Sequence, residues 1–352
     1  MMEQNIGIWL WRPDGPMHFF NHPFLYSLNG IGGLAGPLFI TLAGISAALF
    51  VHTHPLKDRT LILRGVVIML FGYLMNFLTP GFFSMGSWFT LHIIGFAILL
   101  TPLFRRLPTS HVILLSLIIT LTTGWLHSYL DTPYALSEYR MRALNYPGGM
   151  FRLMMAEGHY PIFPWLAFFL GGFVTGRLFL ENRTRQILQM GLICFALAVA
   201  FLIPMSLGTS VTAQKPWALF FRLNLGSFPT PPLFVLLFFP LVAILFLLFH
   251  PLTVRLNIGR GHFLVSLGRI SLTLQIVHVV IFYEVFQRLR WFRTFSTVET
   301  LSIVFGVLLI TAFLSTRWCK HNYVFSCEWI MRRITDPKLE RGVVKPTVLI
   351  QR

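Results

Sequence analysis

Pro232-Leu-Phe-Val-Leu-Leu-Phe-Phe-Pro-Leu-Val-Ala-Ile-Leu-Phe-Leu-Leu-Phe-His250 decides the fold, because no Asp, Glu, Lys or Arg interrupts it. A helix needs about 20 mostly apolar residues to cross the hydrocarbon core of a bilayer, and this run supplies them. Outward from it, eight further runs read the same way: about Ile31–Val51, Leu61–Leu78, Trp88–Phe104, Val112–Leu126, Pro161–Leu180, Ile187–Leu207, Phe263–Tyr283 and Val298–Thr316. The fourth, Val112–Leu126, is the shortest. The composition of the 352 residues agrees, with 55% hydrophobic and only 11% charged, whereas a soluble domain is nearer a quarter charged. With 36 Phe and 9 Trp the chain is far too apolar for disorder. Three cysteines with no CxxC spacing indicate neither a disulfide framework nor a zinc site. The fold class is all-α, a polytopic transmembrane helix bundle of about nine spans.

The net charge of +16 would suggest nucleic acid in a soluble protein. Here the basic residues sit between spans, so they report topology and no nucleic acid is expected. Nineteen of the 28 Lys and Arg fall on one side and nine on the other, and the positive-inside rule puts the richer side in the cytoplasm. Residues 317–352 then form a basic cytoplasmic tail attracted to anionic lipid. Residues 1–30 form an external N-terminal segment, and 31–316 the membrane domain. An external N-terminus with nine spans implies either a translocated, weakly charged tail or a missing first helix, which would make ten. The external loop 127–160 carries Tyr129, Tyr134, Tyr139 and the turn Tyr146-Pro-Gly-Gly149. It reads equally as a folded cap or as a connector.

Ionisable groups at bilayer depth are functional candidates by default. All twelve carboxylates lie in loops or at span ends, which removes the usual ion site of a coupled carrier. No repeat at a fixed period supports an inverted-repeat transporter either. Four histidines share the outer face: His22 before the first span, His92 in the third, His159 before the fifth, and His278 roughly 8 Å below the outer boundary of the eighth. A neutral imidazole can take a proton from a hydroxyl or amine and so assist acyl transfer. The alternative is that each hydrogen-bonds a neighbour at the interface, and that alternative weighs least against His278, the deepest.

On the cytoplasmic side, Arg64, Arg177 and Arg269 stand at span ends. Their forks suit phosphate oxygens, although positive-inside residues occupy such places in most membrane proteins. Arg222, on the outer side, suits an anionic or polyhydroxyl acceptor, or a lipid headgroup. Gly32-xxx-Gly36 and Gly172-xxx-Gly176 read as helix-packing positions. His52 and His54 have no third ligand at a metal-binding spacing, so they read as loop residues.

Six blocks in order carry a resemblance. They are Gly36-Pro-Leu-Phe-Ile-Thr-Leu-Ala-Gly-Ile-Ser46, Leu63-Arg-Gly65, Trp88-Phe-Thr-Leu-His-Ile-Ile-Gly95, Tyr160-Pro-Ile-Phe-Pro-Trp165 with Gly171, Gly172 and Gly176, Phe228-Pro-Thr-Pro-Pro-Leu233, and Leu267-Gly-Arg-Ile-Ser-Leu272 with His278. Together they resemble bacterial membrane proteins related to heparan-alpha-glucosaminide N-acetyltransferase. The resemblance implies a fold that takes an acetyl group from cytoplasmic acetyl-CoA and passes it to an amino sugar or glycan on the far side, with no metal. It supports Arg269 and His278 in one block, and Pro161, Pro164 and Trp165 in another. The active histidine of the eukaryotic enzyme precedes the Phe-Pro-x-Phe helix, a placement to which His22 is similar. Of the Trp-Asn-Gly that should follow that histidine, only Asn29-Gly30 remains, several positions on. Two other features depart from the pattern: the family's opening Asp-x-x-Arg-Gly helix is not in this chain, and Ser227 replaces the lysine of the Lys-Tyr-Pro-Pro block.

The leading expectation is an integral membrane acetyltransferase of a bacterial inner membrane. His278 or His22 is its catalytic residue, and His92, His159, Trp165 and Arg222 lie on the acceptor side. Arg64, Arg177 and Arg269 hold acetyl-CoA. Membrane lipid, acyl-CoA and a glycan are the partners, with a homodimer possible. The alternatives are a permease or carrier for a small or lipid-linked solute, and a catalytically inactive relative.

Overall fold

The computed structural model describes residues 1–13, 20–132, 149–206, 229–259 and 261–335. Its described residues form helices and connecting turns, with one isolated bridge between Trp11 and Phe295 in place of any strand. The principal helices are α1 (Met2–Leu10), α2 (Pro23–Gly33), α3 (Ala35–Thr53), α4 (Asp58–Leu78), α5 (Thr90–Phe104), α6 (Thr109–Tyr129), α7 (Ile162–Leu180), α8 (Thr184–Ser206), α9 (Pro232–Arg255), α10 (Phe263–Arg269), α11 (Ser271–Val279), α12 (Thr297–Cys319) and α13 (Cys327–Thr335). Seven are long and apolar enough to cross a membrane, with α2 and α3 counted together as Pro23–Thr53. The broken pair Phe263–Arg269 and Ser271–Arg288 makes an eighth, and Thr90–Phe104 is a shorter apolar helix. This is an all-α polytopic bundle.

The nine apolar runs each meet a helix, with two differences of length and one bend. Val112–Leu126, the shortest by sequence, is a 21-residue helix, because Thr109–His111 and His127–Tyr129 extend it past the apolar stretch. The shorter helix is α5, which begins only at Thr90 because Trp88 and Phe89 lead in as extended chain. The eighth run bends by 72° at Ile270. No proline causes that bend. The backbone N–H groups of Leu272 and Thr273, freed by the break, donate to Glu328 Oε1 at 2.7 and 3.2 Å. A buried break needs such partners.

Within residues 1–30, α1 is a helix set into the bundle, with Ile6, Trp9 and Leu10 buried against α12 and the α11 region. The two ends of the bundle differ in charge. At one, the basic face, lie Lys57, Arg64, Arg105, Arg177 and Arg183, with Arg105 paired to Asp58 at 2.9 Å. The opposite, loop face carries the starts of α2, α5, α7 and α12.

Two large apolar cores, with a small third cluster between α8 and α9, underlie the bundle. One joins α3, α5, α6, α7 and α9 around Trp165, Phe168, Phe169 and Phe173. Its helices touch through glycine: a Cβ on Gly44 would lie 2.1 Å from Phe169 O, and one on Gly172 2.1 Å from Thr41 O. The other core joins α1, α4, the start of α5, α11 and α12.

Candidate functional site

Where the two cores part, two cavities open. The outer one, ≈ 450 Å³, is walled by α1, the end of α2, the 82–90 segment, His159, Tyr160 and α11. The inner one, ≈ 490 Å³ and mostly apolar, runs between α3, α4, α5 and α11 to Gly268, Glu328 and Met331 at the basic face. Both are lined by Met1, Thr90 and Gln275, so the two cavities meet there.

His159 stands in the wall of the outer cavity, edge-on to Phe83 with centroids 5.7 Å apart. It reaches that wall from a π-helical turn, Leu153–Glu157, followed by Gly158, where a Cβ would meet Leu153 O at 2.3 Å. Burial lowers its pKa from 6.5 to about 3, so the ring is neutral throughout the physiological range. Next to it, burial raises the Tyr160 phenol to about 12, against the opposing hydrogen bond with Thr90.

The other expected histidines are held differently. His278 is 3% exposed, and its Nδ1–H donates to Leu274 O at 2.8 Å. Its Nε2 accepts from Asn5 Nδ2 at 3.0 Å, and Trp9 stacks on the ring. Both nitrogens are therefore engaged, and the ring pins α1 to α11. His92 lies fully inside, ringed by Tyr73, Trp88 and Phe89, with Gly72 against its face. Its Nδ1 accepts from Phe89 N–H at 3.4 Å, while its Nε2 is buried without a hydrogen bond. His22 lies at the loop-face rim, 3.2 Å from Thr297 Oγ1 and edge-on to Trp11. It is two helical turns along α2 from Asn29, which lines the outer cavity. Trp165 belongs to the packed core and donates from Nε1 to Thr230 Oγ1 at 2.9 Å. Arg222 lies outside the described residues, as do Tyr134, Tyr139, Tyr146 and the tail beyond 335.

The three arginines do not converge. Arg177 donates to the carbonyls of Phe104, Arg105 and Leu107 at 2.8–3.1 Å, closing the end of α5. Arg64 lies one turn below Ile68, a residue of the inner cavity, and donates to Thr335 on α13. Arg269 is exposed beside Gly268, at the mouth of that cavity. Arg64 and Arg269 thus flank the basic end of the inner cavity, while Arg177 caps a neighbouring helix. Among the described residues no three His, Cys, Asp or Glu side chains gather as a metal site.

Two features escape sequence reading. Glu328, placed by sequence in the tail, enters the inner cavity wall and accepts from Thr273 Oγ1 at 2.6 Å. The amphipathic pattern of Cys327–Thr335, with its one carboxylate facing inward, is the signal that reveals it. Second, Glu157 is 1% exposed and receives a two-pronged contact from Arg152 at 2.7 and 3.0 Å. Thr132 donates to Glu157 at 2.9 Å and lies 3.2 Å from His127, whose other nitrogen reaches Thr230 O. The apolar residues Leu153-Met-Met-Ala156 ahead of Glu157 hint that it is enclosed.

Residues 19–208, more than half of the chain, match the family model of the heparan-alpha-glucosaminide N-acetyltransferase catalytic region. Residues 174–338 match a second model, described as a protein of unknown function (DUF418). No curated protein and no solved structure matches the chain. Four of the six resemblance blocks, through Gly176, lie within the first match, and the blocks at 228–233 and 267–278 lie within the second. By the first match, the chain belongs to the heparan-alpha-glucosaminide N-acetyltransferase catalytic family.

Proposed function

We propose that the protein moves an acetyl group from acetyl-CoA at the basic face, taken as cytoplasmic, to a sugar acceptor at the loop face. The observation that carries this reading is the meeting of the two cavities at Thr90 and Gln275, between a mostly apolar wall on one side and a mixed wall of carboxamides, His159 and aromatic rings on the other. The phosphates of the donor sit outside the membrane domain, with Arg64 and Arg269 supplying charge and forked donors. The apolar inner cavity admits the pantetheine arm and brings the thioester to the junction.

His159 is the base. Its neutral ring offers a lone pair, and the acceptor proton goes there as the acceptor atom attacks the thioester carbonyl. A ring held to a pKa of about 3 is a weak base in the empty cavity. The thiolate that forms as the C–S bond breaks is the nearby negative charge that stabilises the imidazolium, and it then takes the proton. His278 holds α1 in place, and His22 stands at the rim.

The test uses protein in nanodiscs with radiolabelled acetyl-CoA and a mixture of bacterial glycans. Wild type is expected to label the glycan, and His159→Ala to lose that labelling while remaining folded. Labelling that survives His159→Ala and fails in His22→Ala moves the base to the rim. A solute carrier is the second reading, since two cavities meeting across a bundle also suit alternating access. Uptake of a labelled solute into liposomes with no use of acetyl-CoA would establish it instead.

A further inference from the structure

A crevice apart from the two cavities of the candidate site enters the bundle at its basic face. Its mouth, ≈ 420 Å³, is walled by the end of α3, the link between α5 and α6, and the end of α7, with His52, Arg105 and Arg177 on it. A second chamber, ≈ 530 Å³, lies between the starts of α6 and α8 and carries Arg183, Gln186 and Gln189. Both are lined by Thr109 and Glu181, so they adjoin. Deeper in, the second chamber shares Ile113, Leu117, Met190 and Cys194 with a narrow end of ≈ 40 Å³ that reaches Thr120, Val174 and Phe239. The space exists because α6 and α8 both pack on α7 and α9, and scarcely on each other. From Thr109 to Thr120 it follows α6 for about 16 Å by helical rise. That is half of a hydrocarbon core of about 30 Å, the depth of one leaflet. Ile193 on its wall is exposed at the bundle surface, so the crevice opens sideways as well as at the basic face.

The chemistry changes along this length. On the walls of the wide part, the guanidinium groups of Arg105, Arg177 and Arg183 stand against one carboxylate, Glu181. Arg183 pairs with Glu181 at 3.2 Å, and Arg105 with Asp58 at 2.9 Å. Arg177 hydrogen-bonds only backbone carbonyls, so its charge has no ion-pair partner among the described residues. The helices α6 and α8 begin here, and their positive ends add to the attraction for an anion. Below the arginines come the amides of Gln186 and Gln189, and below those the walls are apolar. A soluble anion would fill the mouth and leave the apolar slot empty, while a neutral apolar molecule would leave the arginines unmatched. A headgroup with its own ammonium would bring another cation to a wall that already holds three.

We propose that the crevice binds one anionic phospholipid of the leaflet at the basic face. Its phosphate meets the wall of Arg105, Arg177 and Arg183, forked donors suited to phosphate oxygens, and one acyl chain lies in the slot between α6 and α8. The chain fills the gap between two helices that otherwise meet through α7 and α9, so the lipid acts as a structural ligand of the bundle. The crevice lies away from Thr90 and Gln275, and the proposal does not depend on acyl transfer.

The test incubates detergent-purified protein with equal amounts of phosphatidylglycerol and phosphatidylcholine of the same chains. Retained lipid is counted by native mass spectrometry, and each lipid is also added singly in thermal melts. One phosphatidylglycerol per chain is expected to persist, and it should raise the melting temperature, since a ligand of the native state stabilises that state. Arg183→Gln, at an exposed position, should weaken retention about tenfold by removing a charge-assisted contact. Leu117→Trp, which fills the slot, should abolish retention. Equal retention of the two lipids would show a nonspecific lipid coat and overturn the proposal. An equal melting shift from inorganic phosphate alone would overturn it too, by making the mouth a plain anion site. So would displacement of the lipid by acetyl-CoA, which would make the crevice part of a donor path.

Discussion

The two cores of the bundle are built on opposite principles. Around α7 the helices meet backbone to backbone, through Gly44, Gly172 and Gly176, with the rings of Phe168, Phe169 and Phe173 enclosed between them. Around α11 a helix is broken by 72°, a π-helical turn follows, and polar side chains fill what backbone hydrogen bonding leaves open: Glu328 at the break, and Asn5 with His278 between helices. Close packing makes the contact between α3 and α7 a rigid scaffold. The second region leaves space, and the cavities lie along its border with the first. Ligand-binding segments are drawn from the less stable parts of a fold.

The most severe change strikes the scaffold. In Gly172→Leu the new Cβ would sit 2.1 Å from Thr41 O, a backbone atom that cannot swing aside. Loss of monodisperse protein by size-exclusion chromatography is expected. Gly306→Ala on α12 has nothing within 4 Å and should match wild type or melt slightly higher, since alanine is favoured over glycine in a helix by about 0.5–1 kcal/mol. Equal tolerance at the two positions would dissolve the contrast.

Next comes the division of labour between two histidines that the sequence could not separate. His159→Ala should reduce acetyl transfer about 100-fold or more with the melting temperature nearly kept, the range for removal of a general base. His278→Ala should do the reverse, costing about 1 kcal/mol or more as the Asn5 hydrogen bond between α1 and α11 is lost. A stable, inactive His278→Ala would return the catalytic role to the deeper ring. Smaller again is Glu328→Gln. It keeps an acceptor for the Leu272 and Thr273 N–H groups but gives up the charge, so a loss of about 1 kcal/mol is expected in thermal melts. An unchanged melt would mean that the break in this span does not depend on the carboxylate.

The scaffold was legible because its signal is local. Runs such as Pro232–His250 announce spans by composition, and Gly172-xxx-Gly176 announces a close approach by spacing alone. The site was legible only in outline. Depth sorted the histidines onto one face, but depth does not say which way a ring points. His159, in the cavity wall, and His278, with both nitrogens engaged, lie on the same face in sequence. Nor could spacing show that Arg177 closes the end of α5 while Arg64 and Arg269 flank a cavity, since all three simply read as positive charges at span ends. Glu328 needed a contact between residues 55 and 56 positions apart, information that no window of sequence carries.

The gentlest effect is a pH dependence, and it bears on the same wall of the cavity. With a folded pKa of about 3 against 6.5, His159 stays unprotonated in the native protein where the unfolded chain would take up a proton. Stability from this group is therefore complete above pH 6.5 and declines as the pH falls from there toward 3, with a slope of at most about 1.4 kcal/mol per pH unit. Comparison with His159→Phe removes the contributions of other groups. Whatever advantage wild type holds over the variant in melting temperature at pH 7.5 should shrink at pH 5. The same depressed basicity means that kcat/KM should show no fall near pH 6.5 from this ring, in contrast to an exposed imidazole. Acetyl transfer that survives His159→Ala but is lost in His22→Ala would identify the rim histidine as the base. The polar border would then extend to the loop-face surface, beyond the enclosed wall where His159 stands.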